Sequence, residues 1–324
     1  PISRAPARCT TGCRCSPTEG SIPDRQPLIH LIDASVFVFR AYFSIPEDMT
    51  APDGTPVNAV YGYGRFLLDY LGDLRRRAPG DELAVAFDES LTTSFRNDIY
   101  PEYKANRELP PPELEAQFEH CRALTGLLGV AHYAHARYEA DDIIGTLVAQ
   151  RRGAGQPATI VTRDKDLAQL LRPGDRFFNP IDRKRFGYED IAERFGARPE
   201  HFTDYQGLVG DKVDNIPGVP GVGPKTATVL VGELGSLDDI FGDLDAVAGL
   251  ALRGAAKLGA RLEAHREAAF LSRELATIAT DMPLEARADL RPGPVDDEGL
   301  AALFDRLGFG PAMRRQVAVL ADAG

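Results

Sequence analysis

Nine acidic side chains stand where a chain can concentrate charge: Asp33, Asp88, Glu139, Asp141, Asp142, Asp164, Asp166, Asp211 and Asp214. The densest group is Tyr138-Glu139-Ala140-Asp141-Asp142, directly ahead of the apolar run Ile143-Ile144-Gly145-Thr146-Leu147-Val148. If that run is the buried face of a helix, three carboxylates fall within its first turn. A helix N-terminus favours negative charge. Three like charges this close repel, however, and one is pushed toward protonation unless a cation sits among them. Oxygen-only donor sets suit hard divalent cations such as Mg2+ or Mn2+. One cluster alone reads equally well as a solvated helix start; the repetition argues otherwise. Asp33 and Asp88 each end a short apolar run, Asp164 and Asp166 follow another, and Asp211 and Asp214 are three apart, on one face if helical. Without clustered His or Cys this set excludes a usual zinc site and suits two Mg2+ or Mn2+ ions. Paired metals of that kind stabilise both oxygens of a displacement at phosphorus.

The elements that must position these groups follow from the apolar pattern. Residues 28–33, 82–88, 130–134, 158–162 and 177–179 read as short strands, separated by helical periodicity over 34–43, 57–74 and 113–128. Alternation of this kind predicts a mainly parallel central sheet flanked by helices, over about 27–188. Asp33 and Asp88 then lie at strand carboxyl ends, where open α/β sheets bind ligands. Phe39 and Arg40 are expected near the mouth of such a site.

Residues 89–118 break the pattern. Arg96, Lys104 and Arg107 alternate with Phe95 and Tyr103, and Pro110-Pro111-Pro112 follows. Basic groups interleaved with aromatics suit a single-stranded nucleic acid; Lys104 and Arg107 add charge for a transition state. From residue 189 to 324 the texture becomes helical. Within it, about 208–232 carries Ile216-Pro217-Gly218-Val219-Pro220-Gly221-Val222-Gly223-Pro224-Lys225-Thr226, a helix–hairpin–helix signature. Gly221 and Gly223 let the backbone approach a phosphate, the helix beginning at Pro224 offers free N–H groups, and Lys225 adds a point charge. Such a device grips phosphate without reading sequence.

The 324 residues are 44% apolar, enough for one large domain or two ordinary ones. Net charge is −11, from 37 basic and 48 acidic residues, which taken alone argues against nucleic acid. Setting nine of the acids aside leaves −2, and bound cations invert a local field. No apolar run approaches the roughly 20 residues that span a bilayer, and no secretory leader is expected. Cys9, Cys13 and Cys15 fall in an irregular leader, read as a disordered tail over 1–26; Cys121 sits in a helical pattern. Reduced thiols in the cytoplasm are expected.

Together the residues describe a metal-dependent phosphodiesterase acting on nucleic acid. The blocks Leu31-Ile32-Asp33, Ala59-Val60-Tyr61-Gly62, Ala86-Phe87-Asp88, Ser94-Phe95-Arg96, Tyr103-Lys104, Tyr138 to Asp142, Asp164-Lys165-Asp166-Leu167 and Gly210-Asp211 through Asp214-Asn215 to Pro217-Gly218-Val219 occur in that order. In this the chain resembles the 5′-nuclease family, the 5′–3′ exonuclease domain of bacterial DNA polymerase I and its flap-endonuclease relatives, over about residues 28–310. The resemblance implies a PIN-like core and a helical hairpin region. It implies an enzyme of DNA replication and repair that cuts near a 5′ flap, overhang or nick and leaves 5′-phosphate and 3′-hydroxyl. By that likeness Asp88, Glu139, Asp141 and Asp142, with Asp33 close by, hold a first metal; Asp164, Asp166, Asp211 and Asp214 serve a second. Lys104 and Arg107 match a basic pair in an arch over about 89–118. Phe39, Arg40, Arg96, Gly218, Gly221, Gly223, Lys225 and Thr226 face DNA. The likeness admits a K+ ion on the hairpin carbonyls, a link to a DNA polymerase, and a monomeric stand-alone member or excised domain. Two other readings are a branched-DNA binder without activity, and a magnesium fold of the primase–topoisomerase type, which leaves Asp211, Asp214 and the hairpin unexplained.

Overall fold

The computed structural model describes residues 26–89 and 93–321. The tail expected over 1–26, with its three cysteines, lies outside the described residues except for Gln26. The chain runs β1 (Ile29–Asp33), α1 (Ala34–Ser44), α2 (Asn58–Arg77), β2 (Glu82–Asp88), α3 (Arg96–Ile99), α4 (Pro112–Leu127), β3 (Ala131–His135), α5 (Ala140–Gly153), β4 (Ala158–Val161), β5 (Arg176–Asn179) and β6 (Lys184–Gly187). The sheet order is β3-β2-β1-β4-β5-β6, parallel except for β6, which pairs antiparallel with β5. Lys184 and Arg185 lie exposed on this edge strand, where charge discourages pairing with another chain.

Strand side chains alternate between two faces. Ile32, Val85, Phe87 and Val161 face one core with α1, α2 and α4; Ile29, Leu31, Ala84, Ala86 and Ile160 face a second with α5. A parallel strand covered on both sides needs an almost unbroken apolar run, hence the legibility of β1 and β2. From β1 the chain passes to β2 on one side, and only after β3 does it cross through α5 to β4 on the other. A crevice therefore opens at their carboxyl ends, beside Asp33.

A helical region follows: α6 (Ile191–Phe195), α7 (Phe202–Val209), α8 (Pro224–Leu234), α9 (Leu237–Gly242), α10 (Leu244–Ala248), α11 (Ala255–Ala264) and α12 (Arg266–Ala276), around its own core. The expectation of a helical DNA-facing region as far as residue 324 does not describe what comes next. Residues 277–296 form neither helix nor strand and run back along the sheet domain, where the Leu83 N–H donates to Leu290 O at 2.9 Å and the Gly293 N–H to Gly129 O at 2.9 Å. Gly129 sits at φ +75°, and a Cβ there would lie 2.5 Å from Gly293 O; only glycine admits the strap. Then α13 (Asp297–Leu307) and α14 (Pro311–Ala321) bury Leu303, Phe304, Met313 and Val317 in the first core.

Phe304 is 1% exposed in that core. Phe304→Ala is expected to lower global stability by about 3–5 kcal/mol, read as a lower denaturant midpoint at unchanged slope. A loss below about 1 kcal/mol would show that these helices are an appendage rather than part of the sheet domain.

Candidate active site

The carboxylates converge at the carboxyl ends of the strands. Asp33 ends β1, is 4% exposed, and accepts from Thr162 Oγ1 at 2.9 Å. Burial first, then Asp88 and Asp164, push its carboxyl up to about 7, against the Thr162 bond. Asp88 ends β2 and accepts from the Ser35 hydroxyl at 2.6 Å and from the Ala140 N–H at 2.9 Å, which ties the strand to the start of α5. Asp164 follows β4; its N–H donates to Thr162 Oγ1 at 2.9 Å and its Oδ1 accepts the Asp166 N–H at 2.9 Å. Burial raises its pKa, opposed by that backbone bond. Thr162 thus orients two acids from one hydroxyl, a role not read from the sequence.

At the N-terminus of α5, three neighbouring acids meet three fates, because successive helical positions point about 100° apart. Glu139 caps the helix and takes the Lys104 ammonium at 2.5 Å, with the Tyr103 hydroxyl at 3.4 Å. Burial would raise its pKa, but Lys104 and Arg96 outweigh it and hold it low. Asp141 has no hydrogen bond or ion pair among the described residues. Burial, then Asp164, Asp33, Glu139 and Asp88, push it well above the usual carboxylate range. Asp142 is fully buried and saturated: Arg96 Nη1 and Nη2 each donate at 2.8 Å, the Glu139 N–H at 3.0 Å and the Ala279 N–H at 2.9 Å.

This corrects two sequence expectations. Asp142 has no free oxygen for a metal, and Arg96, 3% exposed, faces no nucleic acid. The signal for Asp142 was its place three residues after the capping position, where an acid reaches back to the cap N–H.

Asp166 rises to about 7 through burial and Asp164, with Lys165 and the adjacent Gln206 amide opposing. Its Oδ1 is buried without a hydrogen-bond partner, and so are both polar atoms of Gln206. Asp211 and Asp214 lie on a turn closed by an Asp211–Ile216 bridge rather than on a helix. Asp211 is set apart: its Oδ1 accepts the Val213 N–H at 2.8 Å and Lys165 Nζ lies 3.5 Å from Oδ2. Asp214 accepts from Arg107, and Lys104 Nζ is 3.9 Å from it.

Of the arch expected over about 89–118, residues 101–107 form a turn folded into the site, 112–118 begin α4, and 90–92 lie outside the described residues. Asn97 holds the Tyr103 carbonyl at 2.9 Å, Asn215 holds Glu102 O at 2.7 Å, and Lys104 sits in the left-handed region at φ +56°. Strain of this kind persists where surroundings over-determine it. Tyr103, Lys104 and Arg107 separate two hollows of about 190 and 310 Å3 and line both. Seven carboxylates line the smaller one: Asp33, Asp88, Glu139, Asp141, Asp164, Asp166 and Asp214. Phe39 also lines it, edge-on to Phe118 at 5.6 Å; Arg40 instead lines a separate groove with Tyr61 and Arg65.

Divalent cations fit this donor set. Seven acids line the pocket against three cations, of which Arg96 is spent mainly on Asp142, and Asp166 presents an orphaned oxygen. Among the described residues no three acids are already drawn around one ion-sized point.

In the hairpin, Gly218 lies at φ +63° with its Cα against the Gly210 backbone, and a Cβ would meet Gly210 N at 2.5 Å. Gly223 precedes α8 with open space beside it, and Lys225 is exposed. Gly221 is not open: Arg261 of α11 reaches its carbonyl at 3.4 Å, adding a cation the motif did not reveal.

Replacing members of the α5 acid set separates structure from function. In EDTA, Asp142→Asn is expected to destabilise by about 3 kcal/mol, the cost of leaving a buried charge unpaired. Asp141→Asn removes repulsion and is expected to raise the melting temperature. Thermal unfolding of both variants checks this, and shifts of the same sign would refute the division.

Two family models cover the chain: "5'-3' exonuclease, N-terminal resolvase-like domain" over residues 28–196 and "5'-3' exonuclease, C-terminal SAM fold" over 197–298. DNA polymerase I of Pseudomonas aeruginosa is 42% identical over 285 residues, 87% of this chain and 30% of that protein. DNA polymerase I of Mycobacterium tuberculosis is 36% identical over 305 residues, 92% of this chain and 32% of that protein. The chain thus spans about a third of the length of these relatives. Among solved structures, T5 5′-exonuclease with bound zinc superposes with a TM-score of 0.62 at 21% identity, covering 91% of this chain and 99% of that one. The Rad2 catalytic core in complex with DNA gives 0.58 at 15%, covering 92% and 93%. These two likenesses establish the fold; the family models and the sequence identity establish more, and the chain belongs to the 5′–3′ exonuclease family of nucleases.

Proposed function

We propose that the chain is a divalent-metal-dependent 5′ nuclease that hydrolyses phosphodiesters of DNA at a 5′ flap, 5′ overhang or nick, leaving 5′-phosphate and 3′-hydroxyl. The observation that carries this is the excess of seven carboxylates over three cations, Arg96, Lys104 and Arg107, in one small pocket at the sheet's switch point. Asp33, Asp88, Glu139 and Asp141 would hold one ion; Asp164, Asp166 and Asp214, with Asp211 at the rim, would hold the second. When bound, Mg2+ or Mn2+ would activate a water and neutralise charge growing on the scissile phosphate.

The chain's own residues do the rest. Lys104 and Arg107 move from Glu139 and Asp214 onto the phosphate, where their charge favours the transition state. Phe39 offers its ring face to a base at the pocket mouth. The hairpin holds duplex backbone through the N–H groups at the start of α8, with Lys225 and Thr226 beside them; its carbonyls would take the K+ ion. The T5 and Rad2 structures contain metal ions and DNA respectively, which supports both ligands here. The full-length relatives support work alongside a DNA polymerase; a monomer suffices for it.

The test is cleavage of a 5′-flap duplex labelled at either end, with Mg2+, Mn2+ or EDTA. Cutting near the junction is expected with metal, and Asp166→Asn is expected to lose at least about a hundredfold in rate. Tight binding without cutting under any metal would leave a DNA-binding protein instead. In the same assay Lys104→Ala should lower single-turnover cleavage by about a hundredfold while duplex affinity changes little. Lost affinity with normal cleavage would make it a binding residue.

A further inference from the structure

A groove of about 750 Å3 opens at the amino ends of the strands, opposite the carboxylates, and shares no lining residue with their pocket. His30 of β1, Thr159 of β4 and Arg176 of β5 enter it from the sheet; Phe66, Tyr70 and Arg77 enter from α2. Its volume is that of a small-molecule site. Four arginines line it, Arg77, Arg176, Arg183 and Arg185, and none has a hydrogen bond or carboxylate partner among the described residues. The acids on its walls are engaged: Asp73 with Arg76, Asp81 with His30 and the Leu28 N–H, Asp69 with the Gln316 amide.

The floor is aromatic. Tyr70 and Phe178 stack with centroids 6.3 Å apart, and the Arg185 guanidinium lies over Phe178 at 4.3 Å. Thr159 is 5% exposed and its hydroxyl has no hydrogen-bond partner. Guanidinium forks without carboxylate partners match phosphate oxygens, and the partly exposed rings of Phe66 and Tyr70 offer a base a surface to stack on.

We infer that this groove is a second, non-catalytic site for a phosphorylated nucleoside, free or as one unit of a single strand. The inference stands apart from the proposed reaction, since no residue is common to the two cavities. The test uses the full chain in EDTA, with isothermal titration of dTMP, of (dT)8 and of inorganic phosphate. Arg176→Ala/Arg185→Ala is expected to weaken nucleotide binding about tenfold or more. Lys104→Ala/Lys225→Ala, which alters the first site and the hairpin, is expected to leave it unchanged. Binding of dTMP identifies the free nucleotide as ligand; binding of (dT)8 alone identifies the strand. Flap cleavage by the arginine variant at the wild-type rate is the control for its fold. Equal affinity of wild type and arginine variant for both probes, no binding of either, or phosphate binding as tightly as dTMP would each overturn the inference.

Discussion

The site depends on one buried guanidinium. Arg96 donates Nε to Leu275 O and Nη2 to Thr277 O at 2.8 Å each, besides its two bonds to Asp142. Three segments distant in sequence meet on it: the turn after β2, the N-terminus of α5, and the chain leaving α12. A bidentate pair with four of the five guanidinium N–H groups hydrogen-bonded is the geometry that repays desolvation. Removing either partner strands a charge in the core. With Asp142 turned toward this junction, helical geometry turns Asp141 and Glu139 into the pocket. The acid that fixes the helix is therefore a different one from those left free for chemistry.

The free acids create the opposite problem. Asp33 is buried and Asp141 and Asp166 are half-buried in one pocket, and each carboxyl is raised first by burial and then by neighbouring acids, Asp164 among them in all three. Lys104 and Arg107 compensate Glu139 and Asp214. Under the proposed reaction this arrangement couples two events. Ions entering the acidic pocket compete with the two cations for the same oxygens. The cations, once displaced, are held by the turn close enough to meet a phosphate instead.

The parts legible in the sequence are those set by local rules. A strand buried on both faces must be apolar and must end where the apolar run ends, so Asp33 and Asp88 could be placed at strand ends without coordinates. The hairpin could be found because its backbone path tolerates few residues at Gly218 and favours Pro at the first position of α8. What could not be read rests on contacts between distant segments. Nothing near Arg96 says that it will be buried by Leu275 and Thr277, 179 and 181 residues away. An arginine between aromatics reads the same whether it meets a nucleotide or a carboxylate. The return of α13 and α14 to the sheet was hidden for a related reason. Their apolar stripes declare amphipathic helices but not which core receives them, and the strap before them has no periodicity at all.

An acidic chain can serve a polyanion when its charges are sorted. Under the proposed function, the acid gathered in one pocket would have its sign reversed by cations of higher charge. The hairpin would need no net charge to hold a phosphate, because free N–H groups at the start of α8 present a partial positive end. The two are joined by a small apolar cluster, in which Tyr103 of the turn packs with Ile216 of the hairpin and with Leu275 and Ala276 at the end of α12. Tyr103 precedes Lys104, and Ile216 closes the bridge to Asp211. The cluster thus sets the distance between the place where a duplex would be gripped and the place where a phosphodiester would be cut. Under the proposed function, that fixed distance, rather than any contact to a base, would select where along a branched substrate the cut falls.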